Sequence, residues 1–208
     1  MTSPRALVTY KGLPGPHLCD YWSRAASAAN YDDGATFQIG RIDMVANTGT
    51  YLDTPFHRFE DGDDLAGVAI YRVAGLPGVM VTSAEMVIDV ATFAGVDVEG
   101  KAVLVATGWD RHWGSEAYFE GHPFLTEAAA QHLADRGAAL VGIDSHNIDD
   151  IRERRRPVHT ILLGAGIPIC EHMTRLGALP PGGFRFTAAP PKIVGMGTFA
   201  VRAFAELV

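Results

Sequence analysis

Residues 123–144 read PFLTEAAAQHLADRGAALVGID, and they set the fold class. Thr126 can cap a helix, Glu127 sits near its positive end, and Gly137 can close it in a left-handed conformation. A short apolar run at 139–143 follows almost at once and reads as a buried strand. Other short apolar runs lie at Phe37–Val45, Val79–Thr82, Ala102–Thr107, Thr160–Leu163 and Ile193–Ala205. Their length, β-branched content and Gly/Pro borders predict strands as well. Several of these strands have no accompanying helix, so the pattern predicts a mixed α/β sheet rather than a regular doubly wound one. Residues 11–36 are rich in Gly, Pro, Ser, Asn and Asp, and read as loop with one helical turn.

The chain has 208 residues, 48% of them apolar and 20% charged, which suits one globular domain with a sizeable core. We expect a single domain over 1–208, with an irregular segment at 1–35. No apolar run is long enough to cross a bilayer. The first residues, MTSPRALVTYKG, lack the basic start and apolar run of a secretory signal, so a cytoplasmic protein is expected. Cys19 and Cys170 form no zinc-like spacing and read as buried free thiols. A formal charge of −7 argues against nucleic acid as a partner and points to a small-molecule substrate. Neither GLPGPH nor GAGIP has the setting and lysine of a phosphate loop. Ser115 and Ser145 lie in no nucleophile elbow. Asp144, Ser145 and His146 are adjacent, so they point in different directions and do not make a triad.

The chemistry concentrates in Asn47–Gly62, NTGTYLDTPFHRFEDG. If 47–53 is extended, Asn47, Tyr51 and Asp53 share one face. Pro55 should stop the strand and deliver His57 on the following turn. A capped strand end with His57 on the surface is the bland alternative. Downstream, Asp144 falls at a predicted strand end, His159 precedes an apolar run, and Glu171 follows another. His146 and His172 are weaker candidates. Arg152 and Arg154–Arg156 form a basic run, which is either a solvated segment or a site for an anionic substrate or partner subunit.

These residues resemble the cyclase family that includes bacterial kynurenine formamidases and isatin hydrolases. That family's signature, His-x-Gly-Thr-His-x-Asp-x-Pro-x-His, is similar to Asn47-Thr-Gly49-Thr50-Tyr51-Leu-Asp53-Thr-Pro55-Phe-His57. TGWD at 107–110, GIDSHNID at 142–149, the His159/Glu171 pair and KIVGMGTFAVRAFA at 192–205 extend the likeness from about Thr36 to the end of the sequence. The resemblance implies a swivelling β/β/α-type fold, a homodimer or higher oligomer, and hydrolysis of a chain or ring amide. It also implies one or two Zn²⁺ or Mn²⁺ ions, with His57 handling protons. Two of the family's metal-binding histidines are replaced here by Asn47 and Tyr51, and neither an amide oxygen nor a phenol of pKa about 10 is a good transition-metal ligand.

What remains is Asp53, His159 and Glu171, the three ligands expected of a catalytic zinc. The metal-free alternative uses repulsion between Asp53 and Glu171 to keep one carboxyl protonated, His57 as base, and Tyr51 as hydrogen-bond donor to an oxyanion. That arrangement suits cyclisation, dehydration or lactone opening as well as amide hydrolysis. A third alternative is a non-catalytic binder that has lost its metal. Among the aromatics, Phe56 and Trp109 lie inside matched segments and are expected, with Asn47, to touch the substrate.

Overall fold

The computed structural model describes residues 8–208. Its first elements are strand β1 (His17–Trp22), the one-turn helix α1 (Arg24–Ser27) and strand β2 (Ile39–Asp43). β1 and β2 form a separate two-stranded antiparallel ribbon, exposed along nearly its whole length. The segment at 11–36 therefore holds a strand as well as the expected helical turn. Its side chains gave no buried alternation to read, because no core lies against them.

The main sheet contains β3 (Tyr51–Asp53), β4 (Leu76–Thr82), β6 (Ala102–Ala106), β8 (Leu140–Ile143), β9 (Ile169–Glu171), β10 (Phe184–Thr187), β11 (Thr198–Ala200) and β12 (Phe204–Leu207). Two short strands, β5 (Val87–Ile88) and β7 (Phe124–Leu125), pair with each other outside it. The order is β11-β3-β9-β8-β6-β4-β10-β12. The central pairings among β4, β6, β8 and β9 are parallel, and the pairings at both flanks are antiparallel. β11 and β12 lie at opposite edges of this sheet, yet three residues separate them. A flat eight-stranded sheet would put its edges about 34 Å apart, whereas four residue steps span at most about 14 Å. The sheet must curl until its edges approach.

Alternation along β6 shows both faces of the curl. Val103 and Val105 pack outward against helix α2 (Glu127–Asp135) and helix α3 (Pro157–Gly164), through Leu133, Leu162 and Leu163. Ala102, Leu104 and Ala106 point inward with Leu52, Cys170, Phe184 and Phe186. Both faces are therefore apolar, as a parallel centre covered on two sides requires. At Gly78 a Cβ would lie 1.9 Å from the Phe184 ring, so only glycine lets the inner layer close.

α2 begins and ends as its sequence dictates: Thr126 Oγ1 accepts from the Ala129 N–H at 3.0 Å, and Gly137 takes φ +73°. Two predicted strands differ. Thr160–Leu163 lies in α3, where Pro157 occupies the first helical position and Val158, His159, Leu162 and Leu163 face the core. A four-residue apolar run carries no period with which to tell helix from strand. Ile193–Ala205 is broken at Gly195 (φ +76°) and becomes β11, the connection at 201–203 and the start of β12. Cys170 is buried as expected, but Cys19 is exposed on the ribbon. Among the described residues no helix is long and apolar enough to cross a membrane.

Candidate active site

β3 lies between β11 and β9, and their register builds the site. Asp53 stands opposite Thr198, and Tyr51 stands opposite Glu171. Tyr51 and Asp53 are two residues apart and face the same side. Asn47 is not part of that strand, because Gly49 turns the chain at φ +70° before Tyr51 begins it. After Asp53, Pro55 opens a 3-10 turn over Pro55–His57 that presents the imidazole. The turn rests on Gly197, where a Cβ would lie 2.2 Å from the His57 nitrogen. The Gly197 carbonyl accepts from the Thr54 N–H at 2.7 Å and from its hydroxyl at 3.1 Å.

Thr198 joins the two catalytic candidates on this strand. Its hydroxyl donates to Asp53 Oδ1 and lies 2.7 Å from His57 Nδ1. With its single proton given to the carboxylate, Thr198 can only accept from Nδ1–H, which leaves His57 Nε2 as a base. His57 is exposed, whereas Asp53 is fully buried.

His159 comes from the first turn of α3. Its Nδ1 meets Asp149 Oδ2 at 2.6 Å, and Asp149 also accepts the backbone N–H groups of Val158 (2.8 Å) and His159 (3.1 Å). Asp149 thereby caps the helix from outside it, since Arg156 at the N-cap supplies no side-chain bond. His159 Nε2 then faces Asp53 Oδ2 at 3.6 Å and Glu171 Oε1 at 3.9 Å. Burial alone would lower the His159 pKa, but the charge of Glu171, the bond to Asp149 and the proximity of Asp53 raise it to about 10. Glu171 is itself pushed upward by burial and by Asp53, with His159 opposing.

Both Glu171 oxygens have donors. Oε2 accepts the Tyr51 hydroxyl and Oε1 the Ile148 N–H, each at 2.6 Å. Tyr10 shares a 2.7 Å hydrogen bond with Tyr51 and accepts from Asn147 Nδ2 at 2.9 Å. Burial, then the charge of Glu171, raises both phenols well above their ordinary pKa, so they stay protonated. Asp53 Oδ2, by contrast, is buried with no hydrogen-bond partner. Asp53, His57 and His159 each bring a donor atom to within 4.8 Å of the others. Glu171 was expected to be the third ligand; it falls outside that set, and His57 falls inside it. In the metal-free alternative Tyr51 donates to an oxyanion; here its hydroxyl donates to Glu171 Oε2.

A cavity of about 240 Å³ opens over these groups. Asn47, Tyr51, His57, His159 and Glu171 line it as the sequence led us to expect. Tyr10, Arg58, Asn147 and Arg156 line it too, and these sequence reasoning missed or left in a basic run. Phe56 and Trp109 do not line it. Phe56 is anchored by its backbone to Asp63, and the Trp109 indole donates to the Tyr118 carbonyl at 3.1 Å. Asp144 ties strand ends together by accepting from the Thr107 hydroxyl and the N–H groups of Thr107 and Gly108. His172 bridges Tyr118 and Tyr10 at 2.9 and 3.3 Å, behind the cavity wall. His146 is buried beside them, and its Nδ1 lacks a partner.

The family model Cyclase, described as "Putative cyclase", matches residues 16–150. A kynurenine formamidase of Geobacillus thermodenitrificans (strain NG80-2) is 28% identical over 176 residues, covering 84% of this chain and 82% of its own length. A solved "Potential Metal-Dependent Hydrolase With Cyclase Activity" superimposes with a TM-score of 0.72 at 27% identity, covering 93% of this chain and 91% of its own. An isatin hydrolase bound to thioisatinate shares the fold, with a TM-score of 0.77 at 20% identity over 94% and 82% of the two chains. With well over half of its length matched by that model, the chain belongs to the Cyclase family and is a hydrolytic enzyme of it.

Proposed function

We propose that the chain hydrolyses the C–N bond of a small aromatic or cyclic amide, and that Asp53, His57 and His159 hold one divalent ion, Zn²⁺ or Mn²⁺, while it does so. One observation carries the reading: Asp53 Oδ2, buried and without a hydrogen-bond partner, faces His159 Nε2 at 3.6 Å, and the same carboxylate has His57 beside it, both imidazoles lining an open cavity. A buried carboxylate oxygen left bare is costly, and a cation is the group it suits. Two imidazoles and a carboxylate also match the donor types and count of catalytic zinc sites. The likeness to a formamidase at 28% identity and to a potential metal-dependent hydrolase at 27% supports the same class.

Such an ion, when bound, acidifies water and polarises a carbonyl. The chain's own residues do the rest. Asp149 fixes the ring plane and the Nδ1 proton of His159, so that Nε2 is the atom presented. Thr198 accepts the Nδ1–H of His57, so that the lone pair on Nε2 is the one His57 would offer the ion. Tyr10 and Tyr51 keep Glu171 hydrogen-bonded and fill the wall where the resemblance leads one to expect a second imidazole.

Hydrolysis of a neutral aryl formamide, followed before and after exhaustive chelation and with elemental analysis, tests this. About one ion per chain is expected, with activity lost on its removal and restored by its return. Asp53→Asn should lose both ion and activity while remaining folded. Full activity in metal-free protein would leave the acid–base alternative standing instead.

A further inference from the structure

The cavity is bipolar. Glu171 lines it, and so do Arg58 and Arg156. Two neighbours in the basic segment are neutralised: Arg152 pairs with Asp150 at 2.9 Å, and Arg155 with Glu153 and Glu127. Among the described residues no carboxylate lies within 4.0 Å of Arg58 or Arg156. Both are instead oriented by neutral oxygens. Arg58 donates to Thr160 Oγ1 at 3.1 Å and to the Arg155 carbonyl at 3.2 Å. Arg156 donates to Asn147 Oδ1 at 3.1 Å. Most of their N–H groups remain available, since each guanidinium carries five. Arg156 also sits at φ +54°, a backbone conformation glycine takes freely and an L residue takes at a cost.

Two guanidiniums positioned on one cavity and paired with no carboxylate are placed to receive an anion. We propose that Arg58 and Arg156 form a carboxylate subsite that sets substrate specificity, the enzyme preferring N-acyl aromatic amides that carry a carboxylate near the scissile bond. This rests on the amide-hydrolase reading above. The spacing follows from the chain itself. Arg58 directly follows His57, and Arg156 precedes His159 by three residues, about one helical turn or 4.5 Å of rise. The anion and the reacting carbonyl must then lie on one small ring, as in an ortho-substituted acylaminobenzoate, which a cavity of 240 Å³ suits. A fork of parallel N–H groups matches a planar carboxylate better than a point charge does.

The test compares 2-formamidobenzoate, its isosteric carboxamide and formanilide on the ion-loaded enzyme. We expect kcat/KM for the carboxylate to exceed that for the carboxamide by about 10–100-fold. In Arg58→Gln or Arg156→Gln that ratio should collapse toward one, through KM rather than kcat, and Arg156→Lys should recover part of it. Equal kcat/KM for the two compounds in the wild type, or an unchanged ratio in both variants, overturns the subsite. If none of the three is hydrolysed, the reaction class is wrong, and calorimetry with 2-aminobenzoate against 2-aminobenzamide decides the subsite alone. Acid-selective binding that both Gln variants abolish sustains it. Binding that is absent, or equal for acid and amide, ends it. Thermal melts establish that each variant is folded.

Discussion

Asp149→Ala removes one side chain that performs two tasks, and the structure separates their sizes. As the external cap of α3 it accepts from Val158 and His159 N–H groups, and losing such a cap costs about 1 kcal/mol. As partner of the His159 ring it makes a buried, charge-assisted bond of 2.6 Å, whose loss costs about 1.5–3 kcal/mol. The larger penalty of an orphaned buried charge does not apply, because Glu171 and Asp53 still face His159 Nε2 at 3.9 and 3.6 Å. The sum is about 3 kcal/mol, or about 6–12 °C in Tm for a chain of this size. Urea unfolding followed by circular dichroism reads it directly. Asp149→Asn keeps a carbonyl oxygen for the cap and should lose only the ring's share, about 2 kcal/mol. Turnover should fall about 10–100-fold in both variants, because the ring is no longer held. A double-mutant cycle with His159→Ala isolates the pair. An Ala variant within about 1 kcal/mol of wild type, or a cycle with no coupling, would refute this account of how His159 is oriented.

Three further outcomes are expected. Tyr51→Phe leaves Glu171 Oε2 with only the distant Tyr10 hydroxyl at 3.5 Å, and should cost about 1.5–3 kcal/mol in urea without removing a bound ion, since Tyr51 is outside the donor set; ion loss in this variant would place Tyr51 among the ligands. Gly197→Ala drives a Cβ into the His57 backbone, so kcat should fall much more than the melting temperature suggests, and a fully active variant would contradict the packing. Burial, with help from His122, lowers the His146 pKa to about 4, and burial similarly lowers His122 and His172. At these three imidazoles the unfolded chain therefore binds more protons than the folded one below about pH 6.5, and their contribution to stability is fully present above that pH and lost on acidification, opposite in sign to that of His159. His146 alone accounts for about 3 kcal/mol between pH 6.5 and 4; an unchanged urea midpoint at pH 5 and pH 7 would contradict it.

How far this could be read in advance depended on whether the information was local. Thr126 and Gly137 delimit α2 from within their own segment, and Pro55 delivers His57 from within its own turn. His57, His159 and Glu171 line one cavity, and Asp53 reaches both imidazoles within 4.8 Å; the grouping of these four residues came from the family resemblance, not from local pattern. Long-range pairing was not legible. Nothing near Tyr10 announces that it will bond Tyr51, 41 residues away. Nothing in Asp149 shows that its carboxylate, rather than that of Glu171, will take the Nδ1 proton of His159. Arg156 was hidden in a run of like residues, and only the fold shows that it turns inward while Arg152 and Arg155 pair with acids. Phe56 and Trp109 failed for the opposite reason: their segments matched, but a matched segment does not fix where each side chain points.

Register explains why the site tolerates a phenol at position 51. In an antiparallel pair, directly opposed side chains have Cβ atoms about 4.5–5.5 Å apart, so whatever stands at 51 must come to terms with Glu171. An imidazole there can share a cation with a carboxylate. A phenol cannot at neutral pH, because burial beside Glu171 holds its proton on. It donates that proton across the strand pair instead and gives Glu171 Oε2 the hydrogen bond a buried carboxylate needs. One strand over, Thr198 does the same for Asp53 Oδ1, leaving Oδ2 as the bare atom. Two cross-strand pairs, two residues apart on β3, thus divide the labour: Tyr51–Glu171 is closed on itself, and Thr198–Asp53 stays open toward the imidazoles. A slip of one residue between β3 and either neighbour would turn these side chains to opposite faces. The chemistry of the site is set by strand pairing as much as by the residues that carry it.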